Sequence, residues 1–131
     1  MKILVIMNHD LTEEQRKSIK GEIVQIRPGN IPVSQGRDEI VGRIMKEVEY
    51  TRPDIIICQT DYEVFAKVLL YCCQTKTPLF GSLTERQVRE ITLPDGTVKK
   101  ESTFKFSGWR RYYPLPSITK AILKEEKNEN S

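Results

Sequence analysis

Lys2-Ile3-Leu4-Val5-Ile6-Met7 runs directly into Asn8-His9-Asp10-Leu11-Thr12, and the reading of these residues decides the fold. An apolar run without polar alternation is buried on both faces, as a central parallel strand is. Thr12-Glu13-Glu14-Gln15 then fits the capping box, in which the hydroxyl accepts from the backbone N–H three residues on and the glutamine side chain reaches back to the cap residue's own N–H. Strand, polar turn and helix follow in that order. Ligands of open α/β sheets settle beyond the carboxyl ends of the strands, where helix N-termini gather unpaired N–H donors. Asn8, His9 and Thr12 stand at that end and are the first candidate site residues.

Working outward, the same junction recurs. Ile55-Ile56-Ile57-Cys58 is a second central strand, and Gln59-Thr60-Asp61-Tyr62-Glu63 contains another capping box, Thr60 to Glu63, opening a helix with Val64, Phe65, Val68, Leu69 and Cys72 on one face. Thr77-Pro78-Leu79-Phe80-Gly81 is a third apolar run, and Ser82-Leu83-Thr84-Glu85 repeats the box, predicting one more helix start. Between the first two units, Lys20-Gly21 ends the first helix and Glu22 to Ile26 is a short strand. Arg27 to Pro32 is a loop, and Ile40, Val41, Ile44, Met45 and Val48 mark a helix running to about Tyr50, with Asp38 and Glu39 in its first turn.

The period then changes. After Val88, Ile91 and Leu93, the turn Pro94-Asp95-Gly96-Thr97 leads into Val98, Lys100, Ser102, Phe104 and Phe106 alternating with Lys99, Glu101, Thr103, Lys105 and Ser107. This is a β-hairpin, whose four-residue loop would set Leu93 opposite Val98. Gly108-Trp109-Arg110-Arg111-Tyr112-Tyr113 closes it, and after Pro114 and Pro116 a short helix is predicted over Ser117 to Lys127. The fold class is therefore α/β, a mainly parallel sheet flanked by helices with a hairpin added, in one domain over 1–127 with a frayed polar tail over 128–131.

At 131 residues and a net charge of +3, the chain suits an anionic ligand but lacks the dense basic stripe of a duplex-binding protein, so long nucleic acid is not expected. The opening apolar run is too short for a signal-peptide core, and nothing approaches transmembrane length. Cys58, Cys72 and Cys73 match neither a disulfide framework nor zinc spacing, and His9 is the single histidine. No membrane, no metal and no cofactor are expected, and the location is read as cytoplasmic.

His9 is the one side chain that both takes and gives a proton near neutrality, its reference pKa being ~6.5. Arg86, Arg110, Arg111 and Lys105 are candidates for phosphate oxygens. Trp109 and Tyr112 are candidates for stacking on a base, although Trp109 equally suits packing on the core or a second subunit. The dinucleotide, P-loop and nucleophile-elbow motifs are absent. What the residues describe is a polar, helix-capped anion site beside a basic aromatic hairpin.

Asn8-His9-Asp10-Leu11-Thr12, Gln59-Thr60-Asp61, Ser82-Leu83-Thr84-Glu85-Arg86 and Phe104 followed by Trp109-Arg110-Arg111-Tyr112, in that order and spacing, resemble small stand-alone CRISPR-associated proteins of type III systems. The resemblance runs from Met1 to about Tyr112. It implies a CARF-type Rossmann-like fold and a homodimer that binds cyclic oligoadenylate, the messenger of type III immunity, across its two-fold axis. It also implies metal-independent ring-nuclease activity giving linear products with 2′,3′-cyclic phosphate ends. Carried over by position, His9 and Arg86 are the catalytic candidates, and Asn8, Thr12, Gln59, Thr60, Asp61, Ser82, Thr84, Glu85, Arg110 and Tyr112 the ligand-binding ones. Phe106 and Ser107 depart from the family pattern, which places a polar ring after the hairpin phenylalanine. The alternative is a non-catalytic sensor or sponge for the same messenger.

Overall fold

The computed structural model describes residues 1–113, so the helix expected over Ser117–Lys127 and the polar tail lie outside the described residues. The elements are β1 (Lys2–Met7), α1 (Glu13–Lys17), β2 (Glu22–Ile26), α2 (Arg37–Thr51), β3 (Ile55–Gln59), α3 (Tyr62–Thr75), β4 (Leu79–Thr92) and β5 (Val98–Tyr112). They build one five-stranded sheet in the order β2-β1-β3-β4-β5, parallel throughout except for the antiparallel β4–β5 pair.

The continuous apolar runs are central, as their lack of alternation requires. Leu4, Ile6, Ile56, Cys58 and Leu79 face α2 and α3, where Val41, Ile44, Val48, Val64, Val68 and Cys72 complete the larger core. Ile3, Val5, Met7 and Ile57 face the other way, against Leu11, Ile19, Phe80 and Trp109 around α1. Each fully buried aliphatic side chain contributes roughly 1.5–3 kcal/mol, so the β1 and β3 runs anchor both layers. Burial pushes the thiols of Cys58 and Cys72 up to about 12, and none of the three cysteines is in a disulfide. Among the described residues no helix is long and apolar enough to cross a membrane.

Two local expectations are corrected. The helix start at Ser82–Glu85 does not form, because β4 continues as one strand through Thr92, with every residue partnered on β5. The capping pattern is a local preference of a few residues, and a cross-strand ladder of that length outweighs it. The hairpin loop is also one residue shorter than expected. The Leu93 N–H donates to the Thr97 carbonyl (2.8 Å) and the Gly96 N–H to the Leu93 carbonyl (2.9 Å), so Thr92, not Leu93, stands opposite Val98. Gly96 at φ 88° takes the left-handed position that a three-residue loop needs after its type I turn.

β4 pairs with β3 only at Leu79 and Phe80. From Leu83 outward, β4 and β5 form a two-stranded arm beyond the carboxyl edge of the sheet, ten residues of β4 spanning about 30 Å. At its base, Ser107 is an extra residue between the Leu83–Gly108 and Thr84–Phe106 pairs.

Candidate functional site

A parallel sheet has its natural crevice where the chain, having run one way along the sheet, turns to run the other. Here that point lies between β1 and β3, since β2 was added on one side of β1 and β3 on the other. Met7 and Gln59 are partners at the carboxyl ends of these strands. Just beyond them opens a cleft of about 610 Å³ walled by Asn8 and His9 from β1, Gln59, Thr60 and Asp61 from β3, and Gly29, Asn30 and Ile31 from the β2–α2 loop.

The wall is held by polar contacts that the backbone spacing dictates. The Asn8 side chain clasps Gly29, its Oδ1 accepting from the Gly29 N–H (2.7 Å) and its Nδ2 donating to the Gly29 carbonyl (3.4 Å). Gln25 on β2 donates to the carbonyls of His9 (2.9 Å) and Met7 (3.3 Å). Arg27 donates to the Asn8 carbonyl (3.2 Å) and pairs with Asp10. These bonds fix the His9 backbone, while the His9 ring, exposed to solvent, makes no hydrogen bond among the described residues.

Asp61 is the N-cap of α3, accepting from the N–H groups of Glu63 (2.9 Å) and Val64 (3.4 Å). The cap thus sits one residue later than the Thr60–Glu63 box placed it, and Glu63 is taken elsewhere. Arg37, in the first turn of α2, donates to Asp61 (2.7 Å) and to Glu63 (2.5 Å), tying the two helix starts together. The Arg37 hydrogen bond, aided by the backbone donors, holds the Asp61 carboxyl below its usual range. The same contacts raise Arg37, Asp61 leading. Arg37 went unnoticed in the sequence because nothing local marks it; its two carboxylate partners lie more than twenty residues away.

The expected site residues divide into groups. Asn8, His9, Gln59, Thr60 and Asp61 meet in the cleft. Thr12 caps α1 as predicted, with both halves of its box formed, and does not line the cleft. Ser82 accepts from Gln15 Nε2 (3.0 Å), fastening α1 to β4. Thr84, Glu85 and Arg86 lie on the arm, where the Arg86 guanidinium donates to Ser102 Oγ (2.9 and 3.2 Å). Arg86 therefore stands four residues, about 13 Å, past Ser82, and the cleft wall does not include it. Tyr112 is half-buried against the larger core, edge-on to Phe65 with centroids 5.2 Å apart, and Arg110 stacks over its ring at 5.6 Å. Trp109 packs at α1 and donates to Ser18 Oγ (2.8 Å), the core role weighed for it above.

A family model described as the Uncharacterized protein MJ1673 family matches residues 1–110. The chain belongs to the MJ1673 family. The match covers the MJ1673-family sheet except for the last two residues of β5, taking in the cleft and the whole arm. No curated protein and no solved structure matches the chain.

Proposed function

We propose that the cleft binds a cyclic oligoadenylate and that the protein is a CARF-type, Rossmann-like ring nuclease of type III CRISPR systems, acting as a homodimer. The observation that carries this reading is a His9 ring that makes no hydrogen bond among the described residues, standing in a polar cleft at the topological switch point. Gln59 has the amide that pairs with an adenine edge, and Thr60 and Asn30 offer groups for ribose hydroxyls. In the reaction a ribose 2′-oxygen forms a bond to the adjacent phosphorus and the bond to the 5′-oxygen breaks. The 2′-hydroxyl loses a proton and the departing 5′-oxygen gains one. His9 supplies one of these transfers, and the rigid wall around it supplies the in-line geometry.

A second reading, a sensor or sponge that binds the ring without opening it, draws on a different observation. Both guanidinium groups beside the cleft are already engaged, Arg27 by Asp10 and Arg37 by Asp61 and Glu63. Stabilising the phosphorane then needs a cation from elsewhere. Incubation of the protein with labelled cyclic oligoadenylates of several ring sizes, in EDTA, separates the readings. Linear products ending in 2′,3′-cyclic phosphate support the nuclease, and bound but intact ring supports the sensor. Absence of a thermal shift with every ring overturns both.

A further inference from the structure

We propose that two copies of the chain pair through the free edge of β4, joining their arms into one four-stranded antiparallel sheet about a two-fold axis at Gln87. The proposal shares with the function above only the need for a second copy, and it holds with or without a ligand.

Two hydrogen bonds show which way the β4 backbone faces. The Pro78 carbonyl accepts from the Ile56 N–H of β3 (3.0 Å), while the Leu93 N–H donates toward β5. Backbone groups alternate sides along a strand, so those of Leu83, Glu85, Gln87, Arg89 and Ile91 serve β5. Those of Thr84, Arg86, Val88 and Glu90 face the β3 side, where after Phe80 no strand among the described residues meets them. A long strand with an open row of donors and acceptors is a template for another strand.

The side chains say which strand. On the face of β4 shared with Leu79, the order is Leu83, Glu85, Gln87, Arg89, Ile91: apolar, acid, amide, base, apolar. Run antiparallel to a copy of itself about Gln87, this order matches throughout. Leu83 meets Ile91, Glu85 meets Arg89, and Gln87 meets Gln87, each of the first two pairs occurring twice as two-fold symmetry requires. Within one arm Glu85 already stands opposite Lys105, and Arg89 opposite Glu101. The joined sheet would therefore carry rows reading Lys105, Glu85, Arg89, Glu101 across four strands, every neighbour of opposite sign, and opposite charges directly across strands are favourable. The free edge of β5 does not offer this. Its arm segment holds Lys99, Lys100 and Lys105 against the single Glu101, so two such edges repel. That β3 and β4 stop pairing at Phe80 leaves the nine residues from Leu83 to Ile91 open for the match.

Charge reversal tests this, with the full chain and sedimentation velocity as the readout. Parent protein is expected to be a dimer at high micromolar concentration. E85R sets arginine against Arg89 of the other copy, R89E sets acid against Glu85, and each variant alone is expected to be monomeric. Mixed in equal amounts the two should form a heterodimer, because every cross-axis pair is again opposite in sign. Damage within one arm, where Lys105 and Glu101 are also affected, cannot be repaired by mixing. Gln87→Cys should in addition give a disulfide-linked dimer under mild oxidation, since non-hydrogen-bonded partners have Cα atoms about 4.5 Å apart, within disulfide reach. Thr103→Cys, on the same face of β5 and away from the axis, should not. A monomeric parent, dimers that survive both reversals, or a mixture that stays monomeric overturns the proposal.

Discussion

His9 is positioned by bonds that do not touch its ring: Gln25 holds its carbonyl and Asn8 holds the loop opposite. A residue so placed is removable without cost to the wall. His9→Ala is expected to keep the melting temperature and ring affinity of the parent while single-turnover cleavage slows by about 10²–10⁴-fold, the usual worth of a positioned acid or base. Cleavage within a few-fold of the parent would remove His9 from the chemistry. Arg37 and Asp61 make the opposite case, structural rather than catalytic. Because the folded state holds Asp61 ionised below its usual range, the unfolded chain takes up that proton first. The stabilisation is present above the ordinary carboxylate pKa of ~3.9 and is lost as pH falls below it toward the depressed value. Arg37→Met should lower stability at neutral pH and flatten this acid limb, which melting curves between neutrality and strong acid would read directly.

Elements were legible wherever burial wrote the pattern. The unbroken runs at β1 and β3 could only be central strands, and the Thr12–Gln15 box forms as read, because both of its bonds lie within one turn. The box at Ser82 misled for the same local reason, the partners of its residues, Trp109 back to Lys105, lying far downstream on β5. Nor did alternation along β5 survive intact. Ser107 is extra, so Phe106 and Trp109, three residues apart, share a face with centroids 4.9 Å apart. Deleting Ser107 should straighten the arm where it leaves the body without shifting the ladder, since Phe106 and Gly108 then stand as successive residues opposite Thr84 and Leu83. Phe106 and Trp109, then two residues apart, should still share a face, so tryptophan emission should stay near that of the parent with the body folded; a clearly shifted emission would show that the register had slipped instead. Gly81 makes a companion test of how β4 enters the sheet. A Cβ there would lie 2.7 Å from the Tyr112 ring, which also packs edge-on against Phe65. Gly81→Ala should destabilise by about 1–3 kcal/mol, measured by denaturant melts, as overpacking does.

At the scale of the molecule, a mainly parallel sheet with a hairpin added was legible, and so were the polar turns at the carboxyl ends of β1 and β3; the strand order that sets those two strands side by side was not, because it rests on pairings between distant segments. Nor was where the arm goes, since its direction depends on β4 outrunning β3 after Phe80. That separation also divides the chain in time. The arm ladder starts from Thr92 and Val98, six residues apart, whereas β1 must find β3 across more than fifty. Hairpins close in roughly 1–10 μs, and joining distant segments is slower because loop closure costs entropy before any contact repays it. Pulse-labelled exchange during refolding should thus protect the amides of Glu85, Gln87 and Arg89, which point at β5, before those of β1. The first ordered surface a newly made chain shows to its neighbours is then the arm with one edge bare, while the apolar runs of the body are still unpaired. Its charges, Glu85, Arg86, Arg89 and Glu90, act at that moment as gatekeepers, turning away strands of the wrong charge order before there is a folded protein to protect.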